Sequence, residues 1–104
     1  VTLYVGMNID LKVRGTDGFT RKIIADAGCT INLFAPPKNP QENPADREDP
    51  DYVATATYDT PSRYYIATVP TTGWVPGTWW MQGIISGGSE NYYAFDFESF
   101  TLEP

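Results

Sequence analysis

Few side chains in this chain could do chemistry. Cys29 is the sole cysteine and there is no histidine, so a thiolate at this position would have no imidazole to activate it. The nitrogen ligands and bases on which zinc and neutral-pH acid–base sites rely are missing too. Cys29 opens the apolar run Cys-Thr-Ile-Asn-Leu-Phe, residues 29–34, where a buried, inert thiol is the usual state. With one cysteine, no intrachain disulfide can form. Carboxylates are more plentiful. Asp46, Glu48, Asp49 and Asp51 stand close together and could offer oxygen ligands to calcium, but Arg47 interrupts them and neither the spacing nor the turn glycine of an EF-hand loop is present. They read as a solvated acidic loop. Asp96 and Glu98 would face the same way on a strand, yet no cleft is legible that would set them to paired acid and base work. No glycine-rich phosphate loop and no nucleophile motif occurs. The reading is a protein that is not an enzyme, with no catalytic residue, no cofactor and no metal site.

Aromatic chemistry is the stronger signal. All three tryptophans, Trp74, Trp79 and Trp80, fall within seven positions, and rings so placed either stack on a ligand or fill a core. The formal charge is −6, thirteen acidic against seven basic residues, with the basic ones scattered. Such a surface repels phosphate backbones, so no nucleic acid is expected as a partner. No uninterrupted apolar run reaches the roughly 18 residues of a membrane span, and no basic-then-apolar segment follows Val1, so neither a membrane anchor nor a signal peptide is expected.

The elements that must position these residues are strands. Short runs rich in Val, Ile, Thr, Tyr, Phe and Trp alternate apolar with polar, as half-buried strands do. Residues 8–14 put Ile9, Leu11 and Val13 on one face and Asn8, Asp10, Lys12 and Arg14 on the other. Gly15 to Phe19 form a turn signal, residues 20–24 a doubtful edge strand, and residues 25–28 a further turn. Residues 29–35 place Cys29, Ile31 and Leu33 opposite Thr30, Asn32 and Phe34. The segment from Pro36 to Asp51 holds five of the nine prolines and is expected to be a long exposed loop. Residues 52–59 and 63–69 make a hairpin about the turn at 59–62. Pro76-Gly77 suits the central positions of a type II turn, residues 78–86 a strand, and 87–91 a turn. In the last run, 92–103, Phe95 and Phe97 have one parity and Phe100 and Leu102 the other, so a β-bulge near Glu98 and Ser99 is expected to bring both pairs to the core. With a short run at 2–5 this makes seven principal strands, and two packed antiparallel sheets are the natural solution. A chain of 104 residues, 41% hydrophobic and 14% aromatic, suits one domain spanning 1–104 with an ample core.

Tyr65, Ala67 and Val69, then Trp74, then Pro76-Gly77-Thr78-Trp79, and finally Phe100, Thr101, Leu102 and Pro104 resemble the pattern Y-x-A-x-V, W-x-P-G-T-W, F-T-L-x-P of bacterial and phage immunoglobulin-like β-sandwich modules. Residues 8–13 and 29–37 are similar to the early strands of those modules. The resemblance covers most of the chain and implies an all-β, immunoglobulin-like antiparallel β-sandwich of about seven strands. It departs from the pattern in its longer proline-rich loop and in the doubled Trp79-Trp80. Small modules of this kind resemble head-decoration, neck or tail-associated components of actinobacteriophages. The resemblance implies a non-enzymatic structural virion protein acting through protein–protein contacts, its partners other virion proteins in a symmetric assembly or homo-oligomer. The alternative is a carbohydrate-binding or adhesin-type module of a bacterial cell surface, with a surface glycan as partner.

The expected core is Ile9, Leu11, Val13, Ile31, Leu33, Tyr65, Val69, Trp79, Met81, Ile85, Phe100 and Leu102. Neighbours in a strand point to opposite faces, so Trp79 belongs inside, beside Met81 and Ile85, and Trp80 outside, beside Gln82 and Ile84. The immunoglobulin-like order places residues 29–35, 78–86 and the last strand in one sheet, so Phe34, Trp80 and Ile84 are expected on its outer face as a contact surface. The competing reading has the proline-rich loop covering Trp80. On the other sheet Tyr64 and Ile66 point outward and form a second, smaller apolar surface. Trp74 is expected to cover the end of the sandwich. In the glycan-binding alternative Trp74, Trp80 and Tyr64 or Tyr92 would stack on sugar rings, with Asn91 or Gln82 donating hydrogen bonds.

Overall fold

A computed structural model of the chain describes residues 2–16, 23–24, 28–86, 92–94 and 96–104, with the backbone alone for 92–94. The expected strand at 20–24 and the turns at 17–19, 25–27 and 87–91 therefore lie wholly or largely outside the described residues, as does Phe95. At the edge of the first gap, Thr16 and Ile23 form an isolated antiparallel bridge, and the Ile24 amide donates to the Gly15 carbonyl.

The protein is all-β. The strands are β1 (Leu3–Tyr4), β2 (Asn8–Val13), β3 (Gly28–Phe34), β4 (Tyr52–Asp59), β5 (Tyr64–Pro70), β6 (Gly77–Ser86), β7 (Tyr92–Ala94) and β8 (Glu98–Glu103), with one turn of 3₁₀ helix at Pro44–Glu48. They join in the order β1-β8-β6-β3-β4-β5-β2, with β7 beside β6. Every pairing on this path is antiparallel except that of β1 with β8. β3, β6 and β8 share one sheet, as expected from the immunoglobulin-like order. β4 belongs to two sheets. Cys29↔Ala56 through Leu33↔Tyr52 pair its first half with β3, whereas Thr57↔Ile66 through Asp59↔Tyr64 pair its second half with β5. The crossing after Ala56 turns a corner between the two layers, and the small inward side chains of Ala54 and Ala56, both buried, leave room for it. Among the described residues the result is a sandwich closed along one side by β4 and left open along the other, where β2 ends the path on one sheet and β8, flanked only by the two-residue β1, ends it on the other.

Alternation sends one residue in two to the interior. Ile9, Leu11, Val13, Ile31, Leu33, Tyr65, Val69, Trp79, Met81, Ile85 and Leu102 are buried in one continuous cluster with Cys29, Ala54, Ala56 and Ala67. Each large aliphatic side chain so buried stabilises the fold by about 1.5–3 kcal/mol. Phe100 differs from the expected core in being half-buried at its edge, because β8 is covered on its far side only by the two residues of β1. The Tyr65 hydroxyl donates to the Ile24 carbonyl at 3.0 Å. A phenol buried among aliphatic side chains in this way keeps its polar end satisfied.

The register conflict in the last run is resolved by a one-residue slip. Ile84 pairs with Ala94 and Met81 with Glu98, so two residues of β6 face three positions, 95–97. The extra residue is the signature of a bulge, and it lies just before the expected Glu98 and Ser99. Its effect on Phe97 corrects the sequence reading. Phe97 does not enter the core; its ring meets Phe34 edge-on at 5.8 Å, and Phe34 points away from the core residue Leu33.

The turn before β6 also departs from expectation. The hydrogen-bonded turn is Thr71–Trp74, closed by the Trp74 amide on the Thr71 carbonyl at 3.0 Å. Gly73, at φ +81°, occupies the third position, where type II geometry requires a positive φ. Pro76-Gly77 instead leads into β6: Gly77 has φ +127°, and a Cβ there would meet the Pro36 ring at 2.9 Å.

Candidate functional site

Two surfaces gather the residues that could act on a partner. The first is the outer face of the larger sheet. Register across β4, β3, β6 and β8 sets residues side by side in rows: Phe34 beside Trp80 and Trp80 beside Ser99, Val53 beside Asn32 and Asn32 beside Gln82, Thr55 beside Thr30 and Thr30 beside Ile84. Thr78 and Thr101 extend it. None of these residues is charged, in a chain where 19% of residues are; Asp51 and Glu103 stand only at its margins. Trp80, Gln82 and Ile84 are half-buried and Val53 is 55% exposed.

Phe34 was expected on this face as an exposed contact residue, and here the structure corrects the sequence reading: Phe34 points to the outer face but is fully buried. Phe97 covers it, with the proline-rich loop behind Phe97. Phe97 packs on its ring, the Arg47 guanidinium lies over Phe97 at 5.4 Å, and the same guanidinium donates to the Pro40 carbonyl at 2.8 Å. The loop is anchored at its base by Asp51, whose carboxylate accepts the Ala35 amide at 2.7 Å and lies 3.4 Å from Lys38 Nζ. Lys38 also donates to the Asp49 carbonyl at 2.7 Å. Of the four loop carboxylates read from sequence as possible calcium ligands, Asp51 and, at 3.6 Å, Asp49 lie against Lys38, and among the described residues no three His, Cys, Asp or Glu side chains converge as a metal site. Trp80 stays partly open beside the loop, flanking a shallow recess of about 290 Å³ with Pro36, Pro37 and Thr78.

The other tryptophans lie elsewhere. Trp79 is buried, its indole N–H donating to the Val75 carbonyl at 2.9 Å. Trp74 stacks on Trp79 at 4.4 Å and meets Tyr52 at a tilt of 56°, 5.2 Å between centroids, a half-buried cover on the core. Trp74 and Trp80 therefore do not share a face. Tyr64 is on the smaller sheet, capped by the Arg14 guanidinium 3.9 Å above its ring, and Ile66 beside it is half-buried. Asn91 and the side chain of Tyr92 lie outside the described residues.

The second surface is the open side of the sandwich, which sequence reasoning missed. A cavity of about 380 Å³ is lined by Lys12, Arg14 and Tyr64 on one lip and Asp96 and Glu98 on the other, with Met81 and Gly83 between. It continues into one of about 220 Å³ that shares Lys12, Met81 and Glu98 and reaches Leu3, Leu11 and Phe100. A cleft thus exists at Asp96 and Glu98 where none was legible. Its lips come from opposite ends of the chain, and no local signal joins them. Arg14 is already engaged, donating to the Ser62 carbonyl at 2.7 Å.

Cys29 faces the core, paired across the sheet with Ala56 and Ile85. Burial pushes its thiol up from 9.0 to about 11, which leaves it protonated and unreactive near neutrality.

Compared with known proteins, the chain matches no family model, no curated protein and no solved structure. The fold and its surfaces define a β-sandwich with one uncharged sheet face and one open side.

Proposed function

We propose that this protein is a non-catalytic structural module that works by packing against other proteins, and that its setting is a bacteriophage particle, as a capsid-decoration, neck or tail component. The observation that carries the reading is the uncharged outer face around Trp80, Ile84 and Val53. Depletion of charge together with a central aromatic is what distinguishes the cores of protein interfaces from ordinary surface. In a chain of net charge −6, such a face can meet a neighbouring subunit without the self-repulsion that the rest of the surface imposes. Trp80 would be the anchor, held at a fixed height by the Pro36-Pro37 segment beside it. The family resemblance of the strand pattern supports the virion setting.

A glycan-binding module has less support, since Trp74, Trp80 and Tyr64 occupy three separate places and cannot form one stacking platform.

Mass spectrometry of purified particles from a phage encoding this chain tests the setting: the polypeptide should be present in fixed stoichiometry, and its absence from particles would sink the proposal. Trp80→Glu and Val53→Glu test the face. Both should abolish incorporation into particles; Val53→Glu, at an exposed position, should do so while leaving the thermal transition of the purified protein nearly unchanged.

A further inference from the structure

We propose that the open side of the sandwich, between β2 and β8, is a receptor for an extended polypeptide segment of a partner, neutral to basic in charge, which adds as a strand and closes the barrel. This site lies on a different surface from the outer face and does not depend on the virion reading.

Both walls of the cleft are strand edges. β2 pairs only with β5, and β8 pairs with β6 on one side and, on the other, with β1 at Leu102 and Glu103 alone. Among the described residues, the outer edges of β2 and of Glu98–Thr101 thus have no strand beside them. Edges left open in this way are templates for pairing with an extended chain.

The protein already shows what fits between them. β1 runs parallel to β8 at Leu3↔Leu102 and Tyr4↔Glu103, its course continued by the Val5 amide on the Glu103 carbonyl at 2.9 Å. It then turns through Gly6 directly into β2, the Met7 amide donating to the Tyr4 carbonyl. One strand therefore stands in the gap at that end, hydrogen-bonded to β8 and joined to β2 by a turn. Beyond it, among the described residues, the gap stays open as the two neighbouring cavities that share Lys12, Met81 and Glu98. A segment of about four to six residues in line with β1, parallel to β8 and antiparallel to β2, would fill it at the usual rise per residue.

Side chains set the class of segment. The floor is apolar, from Leu11, Met81 and Phe100, and takes alternate apolar side chains. Of the charges on the lips, Arg14 is bound to the 62–63 turn and to Tyr64, while Asp96 and Glu98 make no ion pair among the described residues, even with Lys12 across the cleft. A lysine or arginine on the incoming strand satisfies them.

The experiment uses three blocked six-residue peptides of alternating valine and polar residues: one with lysine at the polar positions, one with glutamate there, and a lysine peptide with its central valine replaced by proline. Amide hydrogen exchange of the protein, with fluorescence anisotropy of labelled peptide, reads the outcome. The lysine peptide should slow exchange in Asn8–Val13 and Ser99–Thr101, the glutamate peptide should bind more weakly, and the proline peptide should not bind. Glu98→Lys, an exposed change that leaves the fold intact, should weaken the lysine peptide about fivefold, the scale of one rim ion pair. Trp80→Glu should bind it as the parent does. The proposal is overturned by an absence of protection at millimolar peptide, by protection confined to the outer face, or by equal binding of the proline peptide. Protection of the same amides on concentrating the protein alone would put a second copy in the cleft and would likewise overturn it.

Discussion

The indole of Trp74 lies over that of Trp79, ring centroids 4.4 Å apart and planes within 24°, with four residues between them in the chain. Trp79 is a core side chain and Trp74 its lid, with the tilted ring of Tyr52 against Trp74. Trp79→Ala should cost about 3–5 kcal/mol, as large aromatic truncations in cores do. Trp74→Ala, which removes a half-buried ring, should cost about 2 kcal/mol, lowering the melting temperature by roughly 4–8 °C per kcal/mol for a domain of this size. Thermal melts followed by circular dichroism check the order; a Trp74→Ala melt equal to the parent would mean that the stack contributes nothing.

Thr71 is a buried polar hub. Its hydroxyl accepts the Gly6 amide at 2.9 Å and donates to the Met7 carbonyl at 2.7 Å, tying the β1–β2 turn to the β5–β6 turn. Thr71→Val keeps the shape and removes both bonds; the Met7 carbonyl keeps the Thr71 amide at 3.1 Å, so the expected loss of about 1–3 kcal/mol comes chiefly from the Gly6 amide left without an acceptor. Amide exchange at Leu3 to Val5 should accelerate before the global transition is reached.

Gly73 and Gly77 both have positive φ, but only Gly77 has a neighbour where a Cβ would go, the Pro36 ring. Gly73→Ala should cost about 1 kcal/mol from backbone strain alone. Gly77→Ala should cost more, about 2–3 kcal/mol, and should also free the start of the proline-rich loop. Urea denaturation of the two variants side by side gives the comparison, and equal costs would argue against the Pro36 contact.

Asp51→Ala removes the acceptor for the Ala35 amide and the partner of Lys38. The expected loss of stability is about 1–2 kcal/mol, the scale of a charge-assisted hydrogen bond. Its more telling effect should be local: limited proteolysis should cut within residues 36–51 of the variant well before the parent, as the cover over Phe34 loosens.

For Cys29 the folded thiol titrates near 11 against 9.0 for the free group, so the unfolded chain releases this proton first. The contribution of Cys29 to stability is therefore constant below pH 9 and declines as pH rises from 9 through 11. Cys29→Ala should remove that part of the alkaline decline. A thiol reagent at pH 8 should modify the parent only at its global unfolding rate.

Alternation by itself determined most of the strands and, through them, the inward set from Ile9 to Leu102, because a period of two leaves a half-buried strand no other way to satisfy both faces. It also separated Trp79 from Trp80. The fates of Phe34 and Phe97 were decided only by tertiary structure: parity says which face a residue points to, and says nothing about whether a loop such as 36–51 folds back over it. The turn at Gly73 lost out in the sequence reading to the stronger local signal of Pro76-Gly77, whose glycine serves the close approach of Pro36, a residue distant in the chain. The cleft was beyond local reading altogether. Lys12 and Glu98 face each other because β4 carries the chain from one sheet to the other and leaves the opposite side unclosed, and an absence of pairing between distant strands has no periodicity to announce it.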